Sequence, residues 1–166
     1  TGSALLSAAR TAKSSGLQVV AAGLGINLAL GMLYAYSMLA ADIAMLFPGS
    51  GDPYATACLA FAVSMIVGGK MQDKVGPRVI AFLGGLLVGA GFLVCSQTSS
   101  YWGWVIGFGV LAGTGIGFGY SAATPPALKW FSPAKTGLIA GIVVSGFGVA
   151  PVYLAPVCQY LLGHYG

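Results

Sequence analysis

The sequence predicts an all-α polytopic membrane protein, on three observations. First, 57% of its 166 residues are hydrophobic and 6% charged, with a mean hydropathy of +0.89, whereas a soluble domain carries about 25% charged residues. Second, the apolar residues form long charge-free runs: Ser14 to Ala41, Pro53 to Gly69, Val79 to Leu128 and Thr136 to Gly166. Third, the seven lysines and arginines fall in three places, Arg10 and Lys13, then Lys70, Lys74 and Arg78, then Lys129 and Lys135. If the runs cross a bilayer, those places share one side and Asp42 and Asp52 lie on the other. The positive-inside rule then puts the N-terminus in the cytoplasm, with the cell (inner) membrane as the expected location.

A span needs roughly 20 apolar residues, so the third run, interrupted by Ser96-Gln97-Thr98-Ser99-Ser100, must hold two. Helices are expected near 17–41, 53–71, 78–96, 102–124 and 136–158, after a cytoplasmic N-terminal segment at 1–16. The apolar run after Lys13 exceeds the core of a cleaved signal peptide, so the first helix should be retained. A net charge of +4 and a pI near 9.1 would suggest nucleic acid in a soluble domain. Here topology and anionic cytoplasmic lipid account for every basic residue, so the bilayer is the expected partner and nucleic acid is not. Cys58, Cys95 and Cys158 show no metal-ligand spacing, and an odd number cannot pair completely. They read as packing residues, and neither a metal nor a cofactor is expected.

In the first helix Asn27, Gly31, Tyr34 and Met38 share one face. An amide and a phenol are costly against lipid, so this face points into the bundle, either to bond a neighbouring helix or to line a cavity. Tyr36, on another face, reads as structural. Asp52-Pro53 should open the second helix as N-cap and first helical residue. The third follows Gly76-Pro77, a turn signal.

The fourth helix carries Gly107-Phe108-Gly109-Val110-Leu111-Ala112-Gly113-Thr114-Gly115-Ile116-Gly117-Phe118-Gly119-Tyr120 and should stop at Pro125. No strand precedes these glycines and no Lys-Ser/Thr follows, which excludes a phosphate loop. Gly109/Gly113/Gly117 and Gly115/Gly119 are small-xxx-small pairs for close helix packing, a device repeated by Gly137/Gly141/Ser145 in the fifth helix. Trp130 and Phe131, between the last two helices, belong at headgroup depth.

The loop Gly69-Lys70-Met71-Gln72-Asp73-Lys74-Val75-Gly76-Pro77-Arg78 holds an acid that topology does not require. It resembles the Gly-x-x-x-Asp-Arg/Lys-x-Gly-x-Arg/Lys signature between helices 2 and 3 of the major facilitator superfamily. Gly-x-Gly-Tyr, Lys-Trp-Phe and Lys-x-Gly-Leu-x-x-Gly-Ile-Val-Val-x-Gly-Phe-Gly extend the likeness to the oxalate/formate antiporter-like, monocarboxylate-carrying branch, over about Leu17 to Leu162. Gly23, Gly31 and Tyr34 also match Gly109, Gly117 and Tyr120 at one constant offset, as nested inverted repeats would.

The resemblance implies five helices of a six-helix N-terminal transporter half, the partner being a C-terminal six-helix half beyond this chain, and the sequence reads as a fragment. It implies secondary active transport of small organic anions by alternating access. Tyr34 and Tyr120 are then cavity phenols for a carboxylate substrate and Ser145 a further lining residue. Gly69, Asp73, Lys74, Gly76 and Arg78 form a gating motif that latches the halves in the outward-facing state. No lysine or arginine reaches the midplane, so the anion-pairing cation should come from the other half. With His164 terminal and every acid in a loop, no catalytic residue and no enzyme activity are expected. The alternative is a small non-catalytic membrane subunit, in which Asp73 has no task.

Overall fold

The computed structural model describes residues 2–46 and 51–165. Its elements are α1 (Gly2–Leu30), α2 (Met32–Leu46), α3 (Gly51–Val75), α4 (Pro77–Gln97), α5 (Tyr101–Trp104), a π-helical stretch Val105–Ala112, α6 (Gly113–Leu128), a short 3-10 turn Pro133–Lys135 and α7 (Thr136–Tyr165). Among the described residues five stretches are long and apolar enough to cross a bilayer: Ser15–Tyr34, Pro53–Val75, Pro77–Gln97, Tyr101–Leu128 and Pro133–Leu161. The polypeptide is an all-α polytopic membrane protein. Large apolar side chains such as Leu59, Ile66, Phe82, Leu93, Leu138 and Val152 stand exposed. A bilayer, unlike water, is a good solvent for such faces.

Several boundaries differ from the expectation: the second helix runs on to Val75 and the fifth to Tyr165, and Asp42, Asp52 and Asp73 lie in helices rather than in loops. The first helix runs from Gly2 to Leu46 and is interrupted at Gly31, where the Tyr34 N–H reaches back only three residues to the Gly31 carbonyl, at 3.1 Å. The break coincides with a close approach of α7: a Cβ on Gly31 would collide with the Ala150 side chain and lie 2.9 Å from the Phe147 carbonyl. The fourth span continues through Pro125 and Pro126 to Leu128, because burial of Ala122, Ala123 and Ala127 outweighs the two missing N–H donors. The second span starts at Gly51, so Asp52 sits in its first turn rather than at the cap. Residues 47–50 of the expected Asp42–Asp52 loop, and the side chains of Met38, Asp42 and Asp52, lie outside the described residues.

Glycine packing decides the core. Along α6 and the stretch before it, Gly109, Gly113 and Gly117 face α3. A Cβ on them would come within 2.9 Å of Thr56, 2.7 Å of the Ala57 carbonyl and 2.7 Å of the Phe61 carbonyl, respectively. Gly107 and Gly115 meet Gly91 and Gly84 of α4, so two backbones touch with glycine on both sides. On α7 the packing glycine is Gly146, whose Cβ would lie 2.6 Å from the Leu24 carbonyl of α1. Among the described residues the expected stripe has no neighbour: Gly137 and Gly141 face open space and Ser145 is exposed.

Asn27 is fully buried and its amide donates to the Val143 carbonyl at 2.8 Å, while the Tyr153 hydroxyl donates to the Leu28 carbonyl at 2.7 Å. Of the two roles open to Asn27, the interhelical bond is the one formed. Gly31 packs on the fifth span and Gly23 between Ala123 of the fourth and Val143 of the fifth, while their sequence echoes Gly109 and Gly117 pack on the second. The contacts of Gly31 and Gly117 are equivalent under an inverted repeat.

Candidate functional site

Two polar clusters stand out, one within the spans and one at the end where Lys70, Lys74, Arg78, Lys129 and Lys135 gather. The first is built around Phe147 of α7. The Tyr34 ring of α2 meets it edge-on at 5.2 Å between centroids, the Tyr120 ring of α6 meets it edge-on at 5.8 Å, and Phe61 of α3 contacts both Phe147 and Tyr120, at 6.3 and 5.7 Å. Phe147 is itself buried, whereas Tyr34 is 48% exposed. The buried Phe147 ring and the partly buried Phe61 ring thus pack against two phenols, one of them at an open face. Because α6 continues to Leu128, Tyr120 lies eight residues, about 12 Å, from the end of its helix.

Ser145 is not brought to this cluster. Its hydroxyl donates to the Ile142 carbonyl of its own helix at 2.7 Å, and two residues of helix turn it about 200° away from Phe147. Sequence reasoning missed Tyr54 and Cys58 of α3. Both are partly buried and pack against the core cluster that holds Tyr36, Phe108 and Phe147. The signal was present: Tyr54, Cys58, Phe61 and Met65 recur at helical spacing. Tyr36 is buried and stacks on Tyr54 and Phe108, at 5.5 and 4.8 Å. It is a core residue, as its position off the Tyr34 face implies.

The second cluster joins the last turns of α3 to the end of α6. The Asp73 carboxylate lies 3.7 Å from the Lys129 ammonium, beside a cleft of about 200 Å³ lined by Gln72, Asp73, Pro77, Pro126, Lys129 and Trp130. Gly76 ends α3 with φ 88° and ψ 155°, a region essentially restricted to glycine, which turns Pro77 and Arg78 into α4. Lys74 lies exposed in the last turn of α3, where a cation complements the helix dipole. Arg78 is exposed, and Gly69 has open space where a Cβ would stand. Phe131 closes this end from above, its ring 3.3 Å from a Cβ placed on Gly16. No cluster of three metal-ligating side chains occurs among the described residues.

The sequence profile of the Major Facilitator Superfamily matches residues 16–166. The chain belongs to the major facilitator superfamily. Its relatives place it in the monocarboxylate and oxalate:formate branch of that superfamily. Over 156 residues, 91% of this chain, it is 31% identical to human monocarboxylate transporter 11, of which it covers 33%. It is 32% identical to the oxalate:formate antiporter of Oxalobacter formigenes over 62% of this chain and 26% of the relative. It is 33% identical to apicoplast pyruvate carrier 1 of Toxoplasma gondii over 57% of this chain and 17% of the relative. The chain spans about a third of the length of the relatives it matches most extensively. Here the last turns of α3 carry Asp73 to Lys129, and Gly76 supplies a glycine-only turn into α4.

Proposed function

We propose that this chain is the N-terminal part of a secondary active transporter for small organic anions, monocarboxylates or oxalate and formate, working by alternating access. The observation that carries the reading is the convergence of Tyr34 and Tyr120, from α2 and α6, on Phe147. A carboxylate leaving water needs a cation or several hydrogen-bond donors. Two phenols supply donors, and the described lysines and arginines lie at the helix ends. The balancing cation then belongs to the remaining part of the carrier. In this reading Ser145, with Gly137 and Gly141, lies on the face of α7 that meets that part. The test is counterflow of labelled oxalate or pyruvate into liposomes holding the full-length protein. Failure of unlabelled carboxylates inside to drive uptake of either anion overturns the reading.

The cytoplasmic cluster acts as the gate. An ion pair with side chains 73% and 68% exposed contributes at most about 1 kcal/mol to stability, so its value lies in which conformations it permits. Gly76 sets the turn, while Asp73 exchanges between Lys129 in its own half and groups of the other. Asp73→Asn should therefore slow cycling and leave equilibrium affinity within a few-fold. Binding lost many-fold with an unchanged balance of inward and outward states would contradict the gate.

The orientation follows from the charges, with the Lys129 end cytoplasmic. In intact cells a cysteine placed at Ser99 should react with an impermeant maleimide and one at Ser132 should not. The reverse pattern would invert the topology.

A further inference from the structure

Phe61 of α3 belongs to the first cluster but has no task in the carboxylate reading. Its ring lies tilted on Phe147, at 6.3 Å between centroids and 34°, and meets Tyr120 edge-on, at 5.7 Å and 73°. Tyr120 in turn stands edge-on to Phe147, at 5.8 Å and 82°. The three rings close a triangle in which Phe61 bears on the Tyr120 phenol from α3 and Phe147 bears on it from α7. Backbone contacts fix where Phe61 stands. A Cβ on Gly113 of α6 would lie 2.7 Å from the Ala57 carbonyl, and one on Gly117 would lie 2.7 Å from the Phe61 carbonyl itself. The buried Ser64 hydroxyl donates to that same carbonyl at 3.1 Å. Further along, a Cβ on Gly68 would lie 2.6 Å from the Ser121 hydroxyl oxygen. Tyr120 sits between Gly117 and Ser121, so α3 is held against α6 on both sides of it. The phenol itself is only partly buried, and a tyrosine on a helix has two χ1 rotamers open to it.

We propose that Phe61 is a positioning residue, which holds the Tyr120 phenol in the orientation that meets the substrate carboxylate. The proposal rests on the organic-anion reading above and adds to its site a residue from a third helix. A group that binds in one orientation gives an affinity proportional to the share of molecules that hold it there. Neighbours that lock its rotamer keep that share high. An edge-on ring pair has a directional preference that an aliphatic side chain in the same space lacks.

Affinities for oxalate and pyruvate are measured by calorimetry on full-length wild type, Phe61→Leu, Tyr120→Phe and the double variant. For whichever anion binds, Phe61→Leu should bind about three- to tenfold more weakly, the worth of one edge-on ring pair. Tyr120→Phe should bind about tenfold more weakly, for one hydroxyl lost. The double variant should then lie within about twofold of Tyr120→Phe alone, because the ring has no hydroxyl left to orient. A residue that only fills space would weaken both backgrounds alike. If Phe61→Leu does not fold, Phe61→Met, which is also without a ring, takes its place in the cycle. Additive losses in the double variant, or wild-type affinity in Phe61→Leu, overturn the proposal and leave the organic-anion reading intact. Wild-type affinity in Tyr120→Phe overturns it as well, by removing the residue through which Phe61 acts. If neither anion binds wild type, the proposal and the organic-anion reading fall together.

Discussion

Replacing Gly115 by alanine should destabilise the full-length protein by about 1–3 kcal/mol, the usual range for an extra methyl group forced into a packed interior. The new Cβ would lie 2.5 Å from the Gly84 carbonyl oxygen and 2.7 Å from the Val88 nitrogen. Both are backbone atoms of α4, so no side chain can rotate away and the helices must separate. That separation also loosens the neighbouring contact of Gly91 with Gly107. Gly89→Ala on α4 is the matched control, since open space surrounds a Cβ there. It should stay within about 0.5 kcal/mol of wild type. Thermal unfolding of the two variants side by side in detergent measures the difference, and equal midpoints would remove the glycine contact as a determinant of the fold.

Tyr34→Phe should weaken carboxylate binding by roughly ten- to a hundred-fold, equivalent to about 1.5–3 kcal/mol for one hydrogen bond to a charged group. The ring stays in place against Phe147, so the edge-on contact at 5.2 Å is kept and only the hydroxyl is lost. Tyr36→Phe is the internal control: its ring is sealed between Tyr54 and Phe108, and carboxylate affinity should be unchanged. Calorimetry on purified full-length variants decides the matter. Wild-type affinity in Tyr34→Phe would take this residue out of the site.

The structure also explains why one expected packing surface is silent and another is not. Small-xxx-small spacing marks both Gly109/Gly113/Gly117 and Gly137/Gly141/Ser145 as able to approach a neighbour. Among the described residues only the first has one, because α3 lies against that face of α6 while α1 docks on another side of α7, at Gly146. Spacing specifies a face, and the partner is chosen by the rotation of each helix about its axis. The same limit explains Pro125. Proline is a local stop signal, yet burial of Ala127 and Ala123 carries α6 three residues further. Only neighbours from other helices could supply that burial.

The sequence by itself determined the membrane class, the five spans, the side on which the cations gather, the superfamily loop around Asp73 and Gly76, and the pairing of Tyr34 with Tyr120 as candidates. These are legible because hydropathy, charge and turn chemistry act residue by residue: each apolar side chain favours lipid and each cation resists crossing, whatever the rest of the fold does. Tertiary structure alone decided that Asn27 bonds Val143 rather than lining a cavity, that Asp73 reaches Lys129, that Ser145 turns away from Phe147, and that Tyr54 stacks on Tyr36. Those contacts join residues far apart in sequence, and their existence depends on helix rotation and crossing. In a bilayer, where lipid tails are as apolar as leucine, close packing of glycine backbones rather than hydrophobicity sets that geometry.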